Sequence, residues 1–168
     1  MTSETNGPPA GPRHLSPGEL RAWRAFLEAH ALVTRQLEAD LAGSGLTLAD
    51  YDVLVQLAFA EERRLRMHEL AERVVLSRGG ITRLVDRLAA RGLATRVRCA
   101  SDARGTFAVL TEAGLERLRG AAPGHFESVR RNFLERLSPD ELGRLTDLLE
   151  RVPARRVRRR SGSRADSA

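Results

Sequence analysis

Arginine, glycine and hydroxyl-bearing residues are concentrated on one face of the segment Ser77–Gly92, which reads SRGGITRLVDRLAARG. Arginine pairs with phosphates and with guanine edges, and N–H groups at a helix N-terminus bind phosphate oxygens. Glycine in a helix interior costs about 0.5–1 kcal/mol relative to alanine, so Gly79 and Gly80 in a first turn indicate close approach of the backbone to something large. These residue types favour a nucleic-acid contact, and the alternative is an amphipathic helix with a solvated basic face.

The apolar residues of this segment predict the helix that presents that face. They recur at i, i+3, i+4 and i+7, the spacing of one helical face: Ile81, Leu84, Val85 and Leu88. Ser77 is a suitable N-cap and Gly92 a suitable residue beyond the helix end. The segment before it, His68–Val75, predicts a short helix joined to the glycine-containing one by a tight turn. Two such helices form a helix-turn-helix, whose second helix enters a DNA groove.

After Gly92 the hydrophobic period changes from 3.6 to 2, which is typical of strands. Residues 93–98 alternate, Thr106–Thr111 forms a second β-like run, and Cys99–Gly105 reads as a polar loop between them. Leu65-Arg66-Met67 is a further candidate for a short strand. A helix-turn-helix followed by a hairpin is a winged helix. The fold class is therefore predicted to be mainly α with a small β-hairpin wing.

Three helices are predicted around this unit. Ser16 and Ser138 each begin a capping-box pattern, and Thr111 is a candidate N-cap between them. Within the unit itself, Thr47-x-x-Asp50 predicts the start of a further helix. The first helix has a long apolar stripe: Trp23, Phe26, Leu27, His30, Val33, Leu37 and Leu41. A small winged helix would leave much of that stripe exposed, which favours burial in a dimer. In the helix after Thr111, the segment Gly120–Gly124 contains Pro123, which is expected to kink or interrupt it.

Charge and composition place limits on the function. Residues 63–108 contain 11 arginines against 4 acidic side chains, and residues 151–168 contain 7 against 1, whereas the flanking segments are acidic. A basic segment between acidic helices is typical of a nucleic-acid-binding surface. The single cysteine, Cys99, excludes an internal disulfide framework. No apolar run approaches the roughly 18–20 residues of a membrane span, and the polar N-terminus lacks a signal peptide, so a soluble cytoplasmic protein is expected.

The order of these motifs resembles the MarR (multiple antibiotic resistance regulator) family of bacterial transcription factors. The resemblance rests on four motifs: Leu70-Ala71-Glu72, Leu76–Leu93, Asp102-x-Arg104-Gly105 and Val109-Leu110-Thr111-x-x-Gly114. It covers residues 65–118 closely and 16–152 more loosely. It implies a domain at 15–152 that contains a winged helix-turn-helix at 47–111 and dimerisation helices at 16–42 and 112–152. Outside this domain, the composition of residues 1–14 (Pro, Gly and small polar residues) and of residues 153–168 (arginine-rich, ending in Ser, Gly and Ala) predicts disordered tails.

The resemblance also implies roles for individual residues. It implies an obligate homodimer on a palindromic double-stranded DNA operator, with the recognition-helix face in the major groove: Arg78, Gly79, Gly80, Thr82 and Arg83. Arg104 would reach a minor groove and Asp102 would hold that arginine in place, while Ser77 suits a phosphate contact. Arg87 is a further candidate for DNA, with Arg91, Arg96 and Arg98, as phosphate contacts or as ordinary surface. Many family members are repressors that release DNA when a small aromatic or anionic ligand binds.

The remaining candidates each have a less specific interpretation. Trp23, His30 and Tyr51 are candidate effector-binding residues, or else core aromatics. His68 and His125 fit surface positions better than a metal site, and Cys99 is either an incidental thiol or a redox sensor. No cofactor is implied, and no nucleophile–base pair or phosphate loop indicates an enzyme. The alternative function is a non-specific DNA-coating protein that uses the arginine run at 155–160.

Overall fold

The computed structural model describes residues 14–74, 78–99 and 102–152. Ser77, the turn at 75–77, most of both tails and the loop residues 100–101 lie outside the described part of the chain. The helices and strands along the described part follow in chain order: α1 Pro17–Leu41, α2 Leu48–Ala58, β1 Arg64–Arg66, α3 Met67–Arg73, α4 Arg78–Ala90, β2 Ala94–Cys99, β3 Asp102–Leu110, α5 Glu112–Asn132 and α6 Pro139–Glu150. This arrangement confirms the predicted fold class.

Three of the helices begin with the same local device, a reciprocal capping box. The cap hydroxyl accepts from the backbone N–H three residues on, and the acidic side chain there accepts from the cap's own N–H, which satisfies two otherwise orphaned donors. The pairs are Ser16 with Glu19, Thr47 with Asp50, and Ser138 with Glu141. Since each pair lies three residues apart, the sequence was sufficient to predict where these helices begin.

The three strands form one antiparallel sheet in the order β1-β3-β2. The hairpin is longer than predicted, because β3 begins at Asp102 and its ladder continues until Cys99 pairs with Asp102. Strands can pair through backbone hydrogen bonds without alternating apolar side chains. The sequence from Cys99 to Gly105 has no such alternation, so it read as a loop although β3 begins at Asp102. The predicted strand Leu65–Met67 is shifted by one residue, since Met67 already begins α3.

One face of the sheet lies on the helices and forms the core with them. Leu65 pairs with Ala108, Ala94 pairs with Leu110, and all four side chains are buried. The helices contribute residues at most 1 % exposed: Val53, Leu54, Leu57, Leu70, Ile81, Val85 and Leu88. The predicted apolar face of the glycine-containing helix is thus the face that packs inward, which leaves its basic face outward.

The expected interruption at 120–124 is wrong, because α5 is one helix through Pro123. Proline lacks the N–H that would bind the carbonyl of Arg119, and in a helix interior it costs about 3 kcal/mol. Tertiary contacts offset this cost, since Leu118 and Ala121 are buried before the proline and Ser128 is buried after it. The helix ends at Asn132, and a 3₁₀ turn at Leu134–Arg136 precedes α6.

A large apolar surface remains uncovered on the single chain. Residues 17–32 of α1 are all exposed, and Phe26 retains 48 % of its accessible surface. Exposed apolar side chains also lie at the end of α6 and just beyond it: Leu148, Leu149 and Val152. Contiguous apolar patches of this kind are typical of interaction sites. Within the described residues, no helix is both long and apolar enough to cross a membrane.

Candidate nucleic-acid interface

The outward face of α4 is the centre of the candidate interface. Gly79 and Arg83 are exposed, while Gly80 and Thr82 are half-buried. Among the described residues, a Cβ placed on Gly79 would meet nothing within 4 Å, so their packing does not require a glycine there. A glycine at this place, one helical turn from an exposed arginine, leaves room for the backbone to approach an external surface.

Four of the other predicted contact residues have no described side chain. Ser77 lies outside the described residues, and for Arg78, Asp102 and Arg104 the structure describes the backbone but not the side chain. The backbone places Arg78 at the start of α4 and Asp102 opposite Cys99 in the hairpin. The roles of these four side chains stay predictions.

An ion pair connects the wing to the recognition helix. The Arg96 Nη1 atom of β2 lies 2.8 Å from the Asp86 Oδ1 atom of α4, and both side chains are partly exposed. Arg96 stands in the same cross-strand row as Leu65 and Ala108, on the helix-facing side of the sheet. A surface ion pair contributes at most about 1 kcal/mol, so this contact adds only slightly to the stability of the hairpin against α4.

Arg87, predicted as a DNA contact, is engaged inside the chain. Its Nη2 atom lies 2.6 Å from the Asp50 Oδ1 atom, although the side chain remains 50 % exposed. Arg91 joins the same carboxylate, with Nη1 at 3.4 Å from Oδ2. The residues next to Asp50 in the sequence indicate only a helix start, and its arginine partners lie more than 35 residues away in the chain, so no local pattern predicts this pairing.

The predicted effector-binding residues lie in two different surroundings. Trp23 and His30 are exposed on α1, where each ring is close to the ring of Phe26 at centroid distances of 5.9 and 6.3 Å. Tyr51 is buried, and its ring centroid lies 4.2 Å from that of His125 on α5. Trp23 and His30 therefore share an apolar surface, whereas Tyr51 belongs to the junction of α2 with α5.

His125 is a polar residue whose place at this junction the sequence did not reveal. Its Nδ1 atom is buried without a hydrogen-bond partner among the described residues. Burial lowers the pKa of His125 from its ordinary 6.5, so the ring is neutral at pH 7, and burial raises the pKa of the Tyr51 hydroxyl. A neutral imidazole with an unsatisfied nitrogen beside an aromatic ring can accept or donate one further hydrogen bond.

Among the residues that the structure describes, no group of three or more His, Cys, Asp and Glu side chains is placed to hold an ion. His125 is explained by its contacts with Tyr51 and Phe126 instead.

Comparison with known proteins places this architecture in a family. A model of the MarR family matches residues 44–105. The HTH-type transcriptional repressor YetL of Bacillus subtilis is 30 % identical over 143 residues, which are 83 % of this chain and 85 % of that protein.

Two solved structures from Streptomyces coelicolor have the same fold. AbsC, a MarR family transcriptional regulator, is 43 % identical with a TM-score of 0.79, over 84 % of this chain and 95 % of that one. Sco3205, a MarR family regulator solved in complex with DNA, is 38 % identical with a TM-score of 0.81, over 84 % and 89 % of the two chains. With its DNA-binding winged helix formed by α3, α4 and the β2–β3 hairpin, this chain belongs to the MarR family of transcriptional regulators.

Proposed function

We propose that the protein is a homodimeric repressor that binds a palindromic double-stranded DNA operator and releases it when a small molecule binds. The observation that supports sequence-specific binding best is the outward face of α4. There Arg83 is exposed one turn after Gly79, whose open surroundings leave space for a DNA backbone. An α-helix fits the major groove, where arginine can pair with both acceptors of guanine.

The wing supplies the second contact in this proposal. Arg104 lies two residues into β3, at the far end of the hairpin from the core pair Ala94 and Leu110. An arginine in that place suits a narrow, electronegative minor groove beside the major groove that α4 enters. Arg78, Gly80 and Thr82 complete the major-groove set, Ser77 the phosphate contact, and Asp102 the support of Arg104.

Dimerisation through α1, α5 and α6 explains the uncovered apolar surface. Trp23, Phe26 and Leu27 are exposed on α1, and Leu148 and Leu149 are exposed on α6. Burial of apolar surface yields about 25 cal/mol per Å², so a second copy that covers these side chains stabilises both chains. We assign residues 16–42 and 112–152 to this interface and 47–111 to DNA binding. A regulator of this kind acts in the cytoplasm, where it meets DNA.

Effector release has its best support at the contact of Tyr51 with His125. This pair joins α2 of the DNA-binding unit to α5 of the dimerisation helices, and the His125 Nδ1 atom has no hydrogen-bond partner among the described residues. An aromatic or anionic molecule there would satisfy that nitrogen and stack against the ring. Trp23 and His30 would extend the binding surface if the second copy brings α1 close.

A salt-titrated binding assay tests the proposed function. The purified protein is titrated with the intergenic DNA upstream of its own gene, and with a scrambled duplex of the same composition. Specific regulators favour their site by roughly 10³-fold or more over random DNA, so that ratio is expected here. Equal and steeply salt-dependent affinities for both duplexes would contradict sequence-specific binding to this DNA.

The alternative, a non-specific DNA-coating protein, depends on the arginine-rich tail. Removal of residues 154–168 deletes the run at 155–160 and leaves every described residue in place. The repressor proposal expects a modest loss of affinity from this truncation, because α4 and the wing remain. A coating protein would lose nearly all of its binding, since its affinity comes from phosphate neutralisation.

A further inference from the structure

The carboxylate of Asp50 is the most buried charged group in the described part of the chain, at 1 % exposure. Its Oδ1 atom accepts a hydrogen bond from Arg87 Nη2 at 2.6 Å. Its Oδ2 atom accepts from the backbone N–H of Thr47 at 3.1 Å and from Arg91 Nη1 at 3.4 Å. A buried carboxylate is stable only when it is paired and hydrogen-bonded, so these contacts form one unit.

Both arginines lie at the C-terminal end of α4, the recognition helix. Arg87 and Arg91 are four residues apart, at the last turn of α4 and just beyond it, so they lie on one side of its C-terminal end. Asp50 lies in the first turn of α2, more than 35 residues earlier in the chain. The unit therefore fastens the end of α4 that lies away from Gly79 to the beginning of α2.

A second set of contacts connects this unit to the dimerisation helices. The Arg91 Nη2 atom donates to the carbonyl oxygen of Gly45 at 2.7 Å, and the Arg117 Nη1 atom of α5 donates to that of Ser44 at 2.8 Å. Gly45 ends the α1–α2 turn in a left-handed conformation, with φ at 71°. The turn between α1 and α2 is thus held by an arginine from α4 on one side and an arginine from α5 on the other.

We propose that Asp50 is a positioning residue for operator recognition. Arg87 and Arg91 then affect DNA binding through their contacts with Asp50, without contacting the DNA themselves. This inference rests on the proposed function. The Asp50 carboxylate holds α4 at a fixed angle to the α1–α2 turn. Because that turn is also held by α5, the angle between α4 and the dimerisation helices is fixed as well. Arg87 is then reassigned from direct DNA contact to support of the recognition helix.

The length of α4 explains why this angle matters. Its 13 residues span about 20 Å at 1.5 Å per residue, so a tilt of about 5° at the Asp50 end moves the Gly79 end by about 1.7 Å. Hydrogen bonds to base edges tolerate only a few tenths of an ångström around 2.9 Å. A dimer must also place two such helices in half-sites about 34–36 Å apart. Non-specific phosphate contacts, in contrast, tolerate such a shift.

The test compares charge-neutral variants with matched controls. Asp50→Asn keeps the shape of the side chain and removes its charge, and Asp52→Asn is its control, two residues along α2 with a Gln56 contact instead. Arg87→Gln and Arg91→Gln remove the partner charges, and Arg119→Gln, exposed on α5, is the control for them. Affinities for operator and scrambled duplex are measured across a salt series, together with oligomeric state and thermal unfolding.

Asp50→Asn and Arg87→Gln are each expected to lower operator affinity roughly 5- to 150-fold, the discrimination that one base contact provides. Affinity for the scrambled duplex should match that of the respective control, and the salt slope of Arg87→Gln should equal that of Arg119→Gln. The double variant should lose no more than the weaker-binding single variant, since both disturb one unit.

Several results would overturn the inference. A salt slope reduced by about one in Arg87→Gln, relative to Arg119→Gln, would mean that Arg87 contacts a phosphate directly. If Asp50→Asn binds the operator as tightly as Asp52→Asn does, Asp50 has no positioning role. If Asp50→Asn fails to fold, Arg87→Gln and Arg91→Gln decide the question, because their side chains are partly exposed. Failure of the proposed function gives a different result from failure of this inference, because the unmodified protein would then bind the operator and the scrambled duplex equally.

Discussion

The hydroxyl of Ser128 on α5 donates a hydrogen bond to the carboxylate of Asp40 on α1, with 2.5 Å between Ser128 Oγ and Asp40 Oδ2. Arg131 and Gln36 also donate to this carboxylate, at 2.7 and 3.0 Å. The contact joins two helices that we assign to the dimer interface. It lies on the C-terminal side of Pro123, so it holds the part of α5 that follows the proline against α1.

The Asp40 contact makes a pH-dependent contribution to stability. Hydrogen bonding from Ser128, helped by Gln36 and Arg131 and opposed by burial, lowers the pKa of Asp40 below its ordinary 3.8. A lowered folded-state pKa stabilises the fold above pH 3.8, and this contribution is lost as pH falls through the folded-state pKa. We expect Asp40→Asn to lower the unfolding temperature by a constant amount at pH 5–7 and by progressively less below pH 3.8. Glu150→Gln at the exposed end of α6 is the control, and an equal difference at every pH would contradict the assignment.

The contact of Gly114 with the turn between α4 and β2 is a test of packing. A Cβ on Gly114 would lie 2.0 Å from the carbonyl oxygen of Leu93 and 2.9 Å from Leu110 Cδ1. We expect Gly114→Ala to destabilise the protein by about 1–3 kcal/mol, because the backbone has to move. Gly120→Ala in the same helix is the matched control. Its Cβ would meet nothing within 4 Å, and it should stabilise α5 by about 0.5–1 kcal/mol. Denaturant unfolding of both variants measures the difference, and a stable Gly114→Ala variant would show that the two backbones are farther apart.

Phe26 tests the proposed dimer interface. Its side chain is exposed on the single chain, so Phe26→Asp should leave the fold of the protomer intact while it prevents burial against a second copy. We expect a monomer by light scattering, with helical content preserved by circular dichroism. Val97→Asp makes the same change on the exposed side of the wing and should remain dimeric. A dimeric Phe26→Asp protein would place the interface elsewhere.

Arg83 tests the recognition face of α4. Its side chain is exposed, and we expect Arg83→Ala to weaken operator binding by about 1–3 kcal/mol and to relax specificity at one base pair. Arg119→Ala is the control, because it also removes one exposed positive charge but on α5 instead of α4. Mobility-shift titrations with single-base operator variants would measure both effects. Unchanged specificity would leave Arg83 as a solvated residue.

Arg104 tests the wing. We expect Arg104→Ala to cost a similar 1–3 kcal/mol in operator affinity while the dimer stays intact. The loss should fall on the flanking base pairs that the minor groove presents, and it should shrink when those flanks are changed from A·T to G·C, because a G·C groove is wider and less electronegative. Affinity unchanged on every flank would remove the minor-groove role of Arg104.

Local rules fixed much of this protein in advance. The three capping boxes each depend on two residues three positions apart, and the inward face of α4 follows from the spacing of Ile81, Leu84, Val85 and Leu88, so the sequence was enough to predict them. The exposed face with Gly79 and Arg83 was predicted for the same reason, as the complement of that apolar face.

What only the tertiary structure decided depends on residues far apart in the chain. Asp50 reads as a helix cap, and its pairing with Arg87 and Arg91 arises because folding brings the start of α2 against the end of α4. Pro123 reads as a break, and α5 continues because burial around it and the Asp40 contact outweigh one lost hydrogen bond. His125 reads as a surface residue until α5 packs on Tyr51. Sequence patterns report the preferences of neighbouring residues, whereas burial and ion pairing depend on distances in space.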